Sequence, residues 1–243
     1  MRPKVADNNV MNPLRSLLER WETKPASALD GAYVAGGNLR VEGAARLLPG
    51  GERLLDLGCG AGVLGQVIGD RYREIHGLEL APRAVAAAVS RGVRARRWDL
   101  NESPLPFPDG FFDAVTSLSV LQYVFDPPAL VREAARVVRP GGFVCLGCPN
   151  MRAAWRLARL AIIGRFPRVT RDPGYDGGTI HYFCRGDIQA LLEVAGLIVT
   201  VAVGAFTWPR WLEGRGDSLP LFGAVKREFF SGEVLVMAKR PPQ

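Results

Sequence analysis

Three acidic residues and a glycine turn are the parts of this chain whose types and spacing could do chemistry. The run LLDLGCGAG (residues 54–62) leads an apolar stretch into Gly58, Gly60 and Gly62. Glycines placed in this way between a strand and a helix let the backbone take positive φ and let a ligand approach the main chain closely. A dinucleotide fingerprint would need a further glycine at position 63, where this chain has Val63. Asp56 puts a carboxylate just before the turn, where it would repel a pyrophosphate and suit a ligand carrying an ammonium group. Glu79 follows about 20 residues after the turn, where an acidic residue can accept both hydroxyls of a ribose. Asp99, in RWDLNE, is placed to take an adenine amino group, with Leu80 and Leu100 beside these acids to sandwich the ring.

The elements that must position these residues follow from the apolar patterning. Short apolar runs at 53–57, 74–80, 93–98, 112–118 and 142–147 alternate with helical patterns such as 82–90 and 127–138. That alternation predicts a parallel sheet with crossover helices. Each acid then stands at the C-terminal end of a successive strand, the edge where open α/β sheets bind ligands. After residue 150 the pattern breaks into an arginine-rich, partly amphipathic stretch over 151–179. A helix over 185–195, a strand over 197–205, an aromatic and glycine-rich excursion and a last strand over 233–239 follow. The two late strands, with no helix expected between them, should pair antiparallel. The fold class expected is α/β, a Rossmann-like seven-stranded sheet of five parallel strands plus a C-terminal antiparallel pair, with helices on both faces.

A ligand with an ammonium group, a ribose and an adenine is S-adenosylmethionine, and the chain resembles the class I S-adenosylmethionine-dependent methyltransferases. The resemblance rests on LLDLGCGAG, on GLEL (77–80), on WDLNESPLPFPDGFFDAV (98–115) and on RVVRPGGFV (136–144), and it covers roughly residues 50 to 205. It implies that Asp56, Gly58, Gly60 and Gly62 line the methionine end of the cofactor. Glu79 would hold the ribose and Asp99 and Leu100 the adenine, while Ser117 and Leu118 would lie under the cofactor. S-adenosylhomocysteine would be the product. The segments SLSVLQ (117–122), CPN (148–150), GRFPRVTR (164–171) and YDGGTIHYFCRGD (175–187) are most similar to the methyltransferase 11 group and its MetW-like branch. That branch implies an alternative function, a cofactor-binding partner or regulatory subunit of an acyltransferase. The organisation expected is a helical cap over 1–50 with helices at 13–21 and 39–48, and an S-adenosylmethionine-binding core over 51–150. A basic lid insertion over 151–184 and a sheet-completing segment over 185–243 follow.

Many relatives carry Glu-His after the fourth strand, where this chain has Gln122-Tyr123. Tyr123 is therefore a candidate for stacking or for hydrogen bonding to an acceptor. His181 follows the insertion on the side that faces substrate in this fold, and is the candidate general base or acceptor ligand; helix capping is its plainer role. His76 falls mid-strand and reads as a packing residue. A base is needed only when the acceptor must lose a proton, as a hydroxyl does, and O-methylation of a small-molecule acceptor is the reaction expected. Cys145 and Cys148 form a CxxC, but positions three apart on a strand point to opposite faces and no second pair supplies further ligands, so no metal is expected. Asp126-Pro127-Pro128 falls at a helix start, where proline in the first turn explains it.

Among the 243 residues, 31 are Lys or Arg and 24 are Asp or Glu, a formal charge of +7. No nucleic-acid module accompanies that charge, so a nucleic-acid substrate is disfavoured. Arg152, Arg156, Arg159, Arg165, Arg168 and Arg171 concentrate it in 151–171, with Trp155, Leu160, Ile162 and Ile163 offering apolar surface. The plain reading is a lid helix with its apolar face on the core and its arginines in water. The sharper one is a contact with an anionic membrane surface, a phosphorylated acceptor or an acidic partner. Trp208, Trp211, Phe222, Phe229 and Phe230 could add an apolar wall to an acceptor pocket. With no secretory signal, no membrane-spanning run and four cysteines that do not look like a disulfide framework, the expected location is cytoplasmic.

Overall fold

The structure is a computed structural model, and it describes residues 38–165, 178–207 and 220–242. The helix expected over 13–21, and Arg168, Arg171, Trp208, Trp211 and the side chain of Phe222, lie outside the described residues. The chain runs α1 (Leu39–Leu47), β1 (Gly51–Leu57), α2 (Val63–Ile68), β2 (Tyr72–Glu79), α3 (Pro82–Ser90) and β3 (Arg94–Arg97). It continues through β4 (Phe112–Leu118), α4 (Pro127–Val137), β5 (Val138–Pro149) and α5 (Ala154–Ile163). Then come α6 (Arg185–Val194), β6 (Ile198–Thr207), α7 (Pro220–Val225) and β7 (Ser231–Lys239). The seven strands form one sheet in the order β3-β2-β1-β4-β5-β7-β6. β1 to β5 are mutually parallel, and β7 lies between β5 and β6, antiparallel to both. The seven-stranded arrangement expected from the sequence is the one observed.

One expectation about the late strands needs correction. A short helix, α7, and a π-helical turn over Lys226–Phe230 separate β6 from β7. More than 20 residues lie between the two strands, and so long a connection has room to turn on helix before the chain re-enters the sheet.

Both faces of the sheet are covered, and this is why its strands read as apolar runs rather than as alternating ones. One face packs Leu54, Ala114, Cys145 and Met237 against Val41, Ala44 and Ala45 of α1 and Leu64 and Ile68 of α2. The other packs Leu55, Leu57, Val115, Leu146 and Val236 against Leu130, Val131 and Ala134 of α4 and Ile188 and Leu192 of α6. Each fully buried leucine or isoleucine contributes about 1.5–3 kcal/mol. The helices begin where the sequence sets caps. Asp126 Oδ1 accepts from Ala129 N at 2.9 Å ahead of Pro127 and Pro128, and Pro82 opens α3. Cys145 and Cys148 fall in the two different cores; burial raises both thiols, Cys145 to about 12. His76 packs edge-on against Phe107, Phe111 and Phe112, a packing residue as expected. Among the described residues no helix is long and apolar enough to cross a membrane.

The lid expectation is reversed at α5. None of its residues is buried, and Leu157, Leu160, Ile162 and Ile163 are exposed, Ile162 to 83%. Two arginines at and just before its N-terminal end, Arg156 and Arg152, hold it to the body instead. Arg156 Nη1 donates to Asn150 O at 2.7 Å and to Gly232 O at 2.6 Å, and Arg152 pairs with Glu228 at 3.2 Å. Those two carbonyls belong to the chain at the end of β5 and within β7, and a guanidinium with several donors satisfies them where an aliphatic side chain could not.

Candidate functional site

The site is built at the C-terminal ends of β1, β2 and β4. In the glycine turn all three glycines have positive φ, 71° at Gly58, 51° at Gly60 and 79° at Gly62, yet each is glycine for its own reason. A Cβ on Gly58 would lie 2.3 Å from Val120 Cγ2, and one on Gly62 would lie 3.0 Å from Ala88 Cα. These two are fixed by packing. A Cβ on Gly60 would meet nothing within 4 Å, so the main chain there faces open space, the cradle a ligand needs. The turn is pinned to β2 by Gly58 N and Cys59 N, which donate to Leu78 O at 2.8 and 3.2 Å.

Glu79 is buried at the end of β2, and its carboxylate is fixed by backbone donors. Oε2 accepts from Gly60 N at 3.0 Å; Oε1 accepts from Leu80 N at 2.8 Å and Ala81 N at 3.0 Å. It thus stands at the open point of the turn with its orientation already set, where its remaining lone pairs can receive ligand hydroxyls. Asp56 is 5% exposed and accepts from Thr116 Oγ1 at 2.7 Å. Burial is the main reason its pKa rises from 3.8 to about 7; the Thr116 hydrogen bond opposes the rise, Glu79 adds to it and Arg40 opposes it. Two buried carboxylates around one turn make a pocket that favours a cationic group. These residues fit the ammonium and ribose of S-adenosylmethionine.

Asp99 sits just past β3, where Trp98 N donates to Glu79 O at 2.9 Å. Its Oδ1 is taken up by Asn101 N and Asn101 Nδ2, both at 2.9 Å. Leu80 and Leu100 are half-buried, Leu100 against the second core. Ser117 is fully buried at the end of β4, in register with Leu57, and its Oγ has no hydrogen-bond partner. Leu118 packs into the first core. Tyr123 closes a single 3₁₀ turn, Leu121–Tyr123, and is half-buried. His181 N donates to Gln122 O at 3.2 Å, so the two acceptor-side candidates, Tyr123 and His181, flank one peptide group. His181 caps no helix: the N-cap of α6 is Cys184, whose N–H donates to Asp187 Oδ2 at 2.7 Å.

Sequence reasoning missed a polar cluster over the same edge. Arg40 Nη1, from the first turn of α1, donates to Ser119 Oγ at 2.6 Å and to Glu233 Oε1 at 3.0 Å. Ser119 takes φ of 58°, held by its N–H on Gly147 O at 2.7 Å. Arg40 is a cation whose charge reaches Asp56, well placed for a ligand carboxylate. One signal was available: Glu233 is the acid near the start of the otherwise apolar strand SGEVLVMAK.

Residues 55–146 match the family model described as a methyltransferase domain. The chain is 30% identical over 160 residues to a probable S-adenosylmethionine-dependent methyltransferase of Mycolicibacterium smegmatis, covering 64% of this chain and 56% of that one. It is 35% identical over 161 residues to a ubiquinone biosynthesis O-methyltransferase of Xanthomonas axonopodis pv. citri, covering 63% of this chain and 65% of that one. The matched stretch thus spans less than two thirds of these relatives. A crystal structure of a possible histamine N-methyltransferase from Thermotoga maritima superposes with a TM-score of 0.66 at 17% identity, covering 92% of this chain and 99% of that chain. The sheet order, the glycine turn with its acids and these matches agree: residues 55–146 are a methyltransferase domain, in a chain with the Rossmann-like fold and similar in sequence to S-adenosylmethionine-dependent methyltransferases.

Proposed function

We propose that the chain binds S-adenosylmethionine over the glycine turn and transfers its methyl group to an oxygen of a small-molecule acceptor. The observation that carries this reading is the Glu79 carboxylate, set by Gly60 N at 3.0 Å beside the one glycine of the turn with open space before it. In this reading Asp56 receives the ammonium group, Glu79 the ribose hydroxyls and Asp99 the adenine amino group, with Leu80 and Leu100 against the ring and Ser117 and Leu118 beneath. The sulfonium supplies an electrophilic methyl group, so the protein's work is to hold an acceptor oxygen in line with it and keep water out. His181 takes the proton of a hydroxyl acceptor as the new carbon–oxygen bond forms, and Tyr123 lines the same side.

The reading includes a cytoplasmic location and a small-molecule partner rather than a nucleic acid. It divides the chain into a helical cap over 1–50, a cofactor core over 51–150, a basic insertion over 151–184 and a sheet-completing segment over 185–243. A second reading, a MetW-like cofactor-binding partner of an acyltransferase, is favoured by the exposed apolar residues of α5 beside Arg159 and Arg165. The same surface suits an anionic membrane or an acidic protein.

Calorimetric titration with S-adenosylmethionine and S-adenosylhomocysteine, beside Asp56→Ala and Glu79→Ala, tests the cofactor assignment. Micromolar binding that both variants lose supports it, and absence of binding to the wild type sinks it. Tight binding without methyl transfer to any hydroxylated acceptor, together with a stable acyltransferase complex, favours the second reading.

A further inference from the structure

The segment 179–183 joins the chain beyond β4 to the chain beyond β5 at the ligand edge of the sheet. At one end Ile180 N and His181 N both donate to Gln122 O, at 2.9 and 3.2 Å. At the other, Phe183 bridges Asn150 beyond β5 and its carbonyl accepts from Met151 N at 3.0 Å. Phe183 belongs to the buried core and Ile180 is exposed, while Thr179 is buried and His181 Nε2 is closed off from solvent. Three atoms of this region are closed off from solvent without any hydrogen-bond partner: Thr179 Oγ1, His181 Nε2 and Gln122 Oε1. Gln122 is 3% exposed and Thr179 8%. Folded proteins pair nearly all such atoms, and each one left over calls for an explanation. Here three collect on two segments that are tied together by their backbones, at the edge where the acceptor must meet the methyl group.

We propose that Gln122, Thr179 and His181 form the acceptor subsite, and that the acceptor is an uncharged molecule bearing hydroxyl groups. Gln122 Oε1 accepts from one hydroxyl, Thr179 Oγ1 both donates and accepts, and His181 Nε2 faces the hydroxyl that reacts. Gln122 and Thr179 carry no charge, so they select by hydrogen-bond pattern. A site built this way rejects analogues that lack the hydroxyl, because its own buried groups are then left unpaired. The proposal rests on the methyl-transfer reading and adds to it the residues that choose the substrate.

The test uses the full chain loaded with S-adenosylhomocysteine. Catechol is the probe, with 1,2-dimethoxybenzene and inorganic phosphate as controls, followed by saturation-transfer NMR. Thr179→Val and Gln122→Met keep side-chain volume and remove the polar atom. Catechol is expected to bind the wild type and to bind each variant about tenfold more weakly or worse. Dimethoxybenzene should not bind, and phosphate should not displace catechol. Each variant should keep its S-adenosylhomocysteine affinity within about twofold and its Tm equal to or above that of the wild type, because an unpaired buried group has been removed. Failure of catechol to bind the loaded wild type, equal binding by the variants, displacement by phosphate, or a lowered Tm with unchanged catechol binding each overturns the subsite. Failure of the wild type to bind S-adenosylhomocysteine is a different result and overturns the methyl-transfer reading first.

Discussion

The proposed cofactor end and the proposed acceptor end of this site are built on opposite principles. Around the glycine turn, Glu79 receives three backbone N–H groups and the turn itself is pinned to Leu78 O. All of these partners lie within a few residues of a strand end on β1 or β2. Across the sheet edge, Gln122, Thr179 and His181 come from two segments far apart in sequence, and each leaves a polar atom unpaired. The first arrangement is rigid before any ligand arrives, as the recognition of one invariant cofactor requires. The second holds its hydrogen bonds in reserve, which is what discrimination among acceptors requires. In the proposed reading a shared cofactor and a private substrate are thus served by two parts of one edge.

The sharpest way to break that contrast is at Gly58. An alanine there combines φ of 71° with a Cβ 2.3 Å from Val120. Gly58→Ala should cost on the order of 2–4 kcal/mol of stability and lose cofactor binding altogether, read by urea unfolding and calorimetry. Gly60→Ala has room for its Cβ and should fold with a smaller loss, about 1 kcal/mol from φ alone, while still blocking the cofactor. Equal unfolding by the two variants would contradict the separation of packing glycine from cradle glycine.

Glu79→Ala strands three N–H groups at once, and a drop of about 100-fold or more in S-adenosylhomocysteine affinity is expected. Glu79→Gln keeps one acceptor oxygen and should fall between. A ranking in which Gln is as damaging as Ala would show that charge, not orientation, carries the interaction.

Asp56 makes the cofactor end sensitive to pH. It takes up a proton near pH 7 in the fold but near 3.8 in its ordinary state. Between these values the folded chain holds a proton that the unfolded chain has lost. Stability therefore falls as pH rises from about 4 to 7, by at most about 1.4 kcal/mol per pH unit, and levels off above 7. Asp56→Asn should remove this component, seen as a flatter dependence of the urea midpoint on pH. Because a ligand ammonium favours the ionised carboxylate, wild-type affinity for S-adenosylhomocysteine should increase from pH 6 to 8, and in the variant it should not.

The smallest effects are expected on α5. Arg156→Ala removes the donor that satisfies Asn150 O and Gly232 O and should cost about 1–2 kcal/mol. Ile162→Ser, at a residue 83% exposed, should change stability by less than about 0.5 kcal/mol. If the order were reversed, the apolar face would be the one that anchors the helix.

The sheet was largely legible in the sequence because its signals are local. Phe112–Leu118 and Pro82–Ser90 fall where apolar runs and a proline at a helix start place them. β5 runs to Pro149 and β3 shrinks to Arg94–Arg97, since strand ends depend on what the neighbouring strand offers rather than on the residues themselves. Asp56, Glu79 and the three glycines were legible for the same reason: each is tied to a strand end by a fixed spacing. What only the tertiary structure decided was everything that depends on meetings between distant segments. Arg40, Ser119 and Glu233 are brought together from three elements, and Gln122 O receives both Ile180 N and His181 N. The orientation of α5 belongs here too, because periodicity marks an apolar face but cannot say that two carbonyls at the end of β5 and in β7 need a guanidinium more than the core needs a leucine. Pattern records what a segment can bury, and only the assembled sheet determines which polar groups are left wanting a partner.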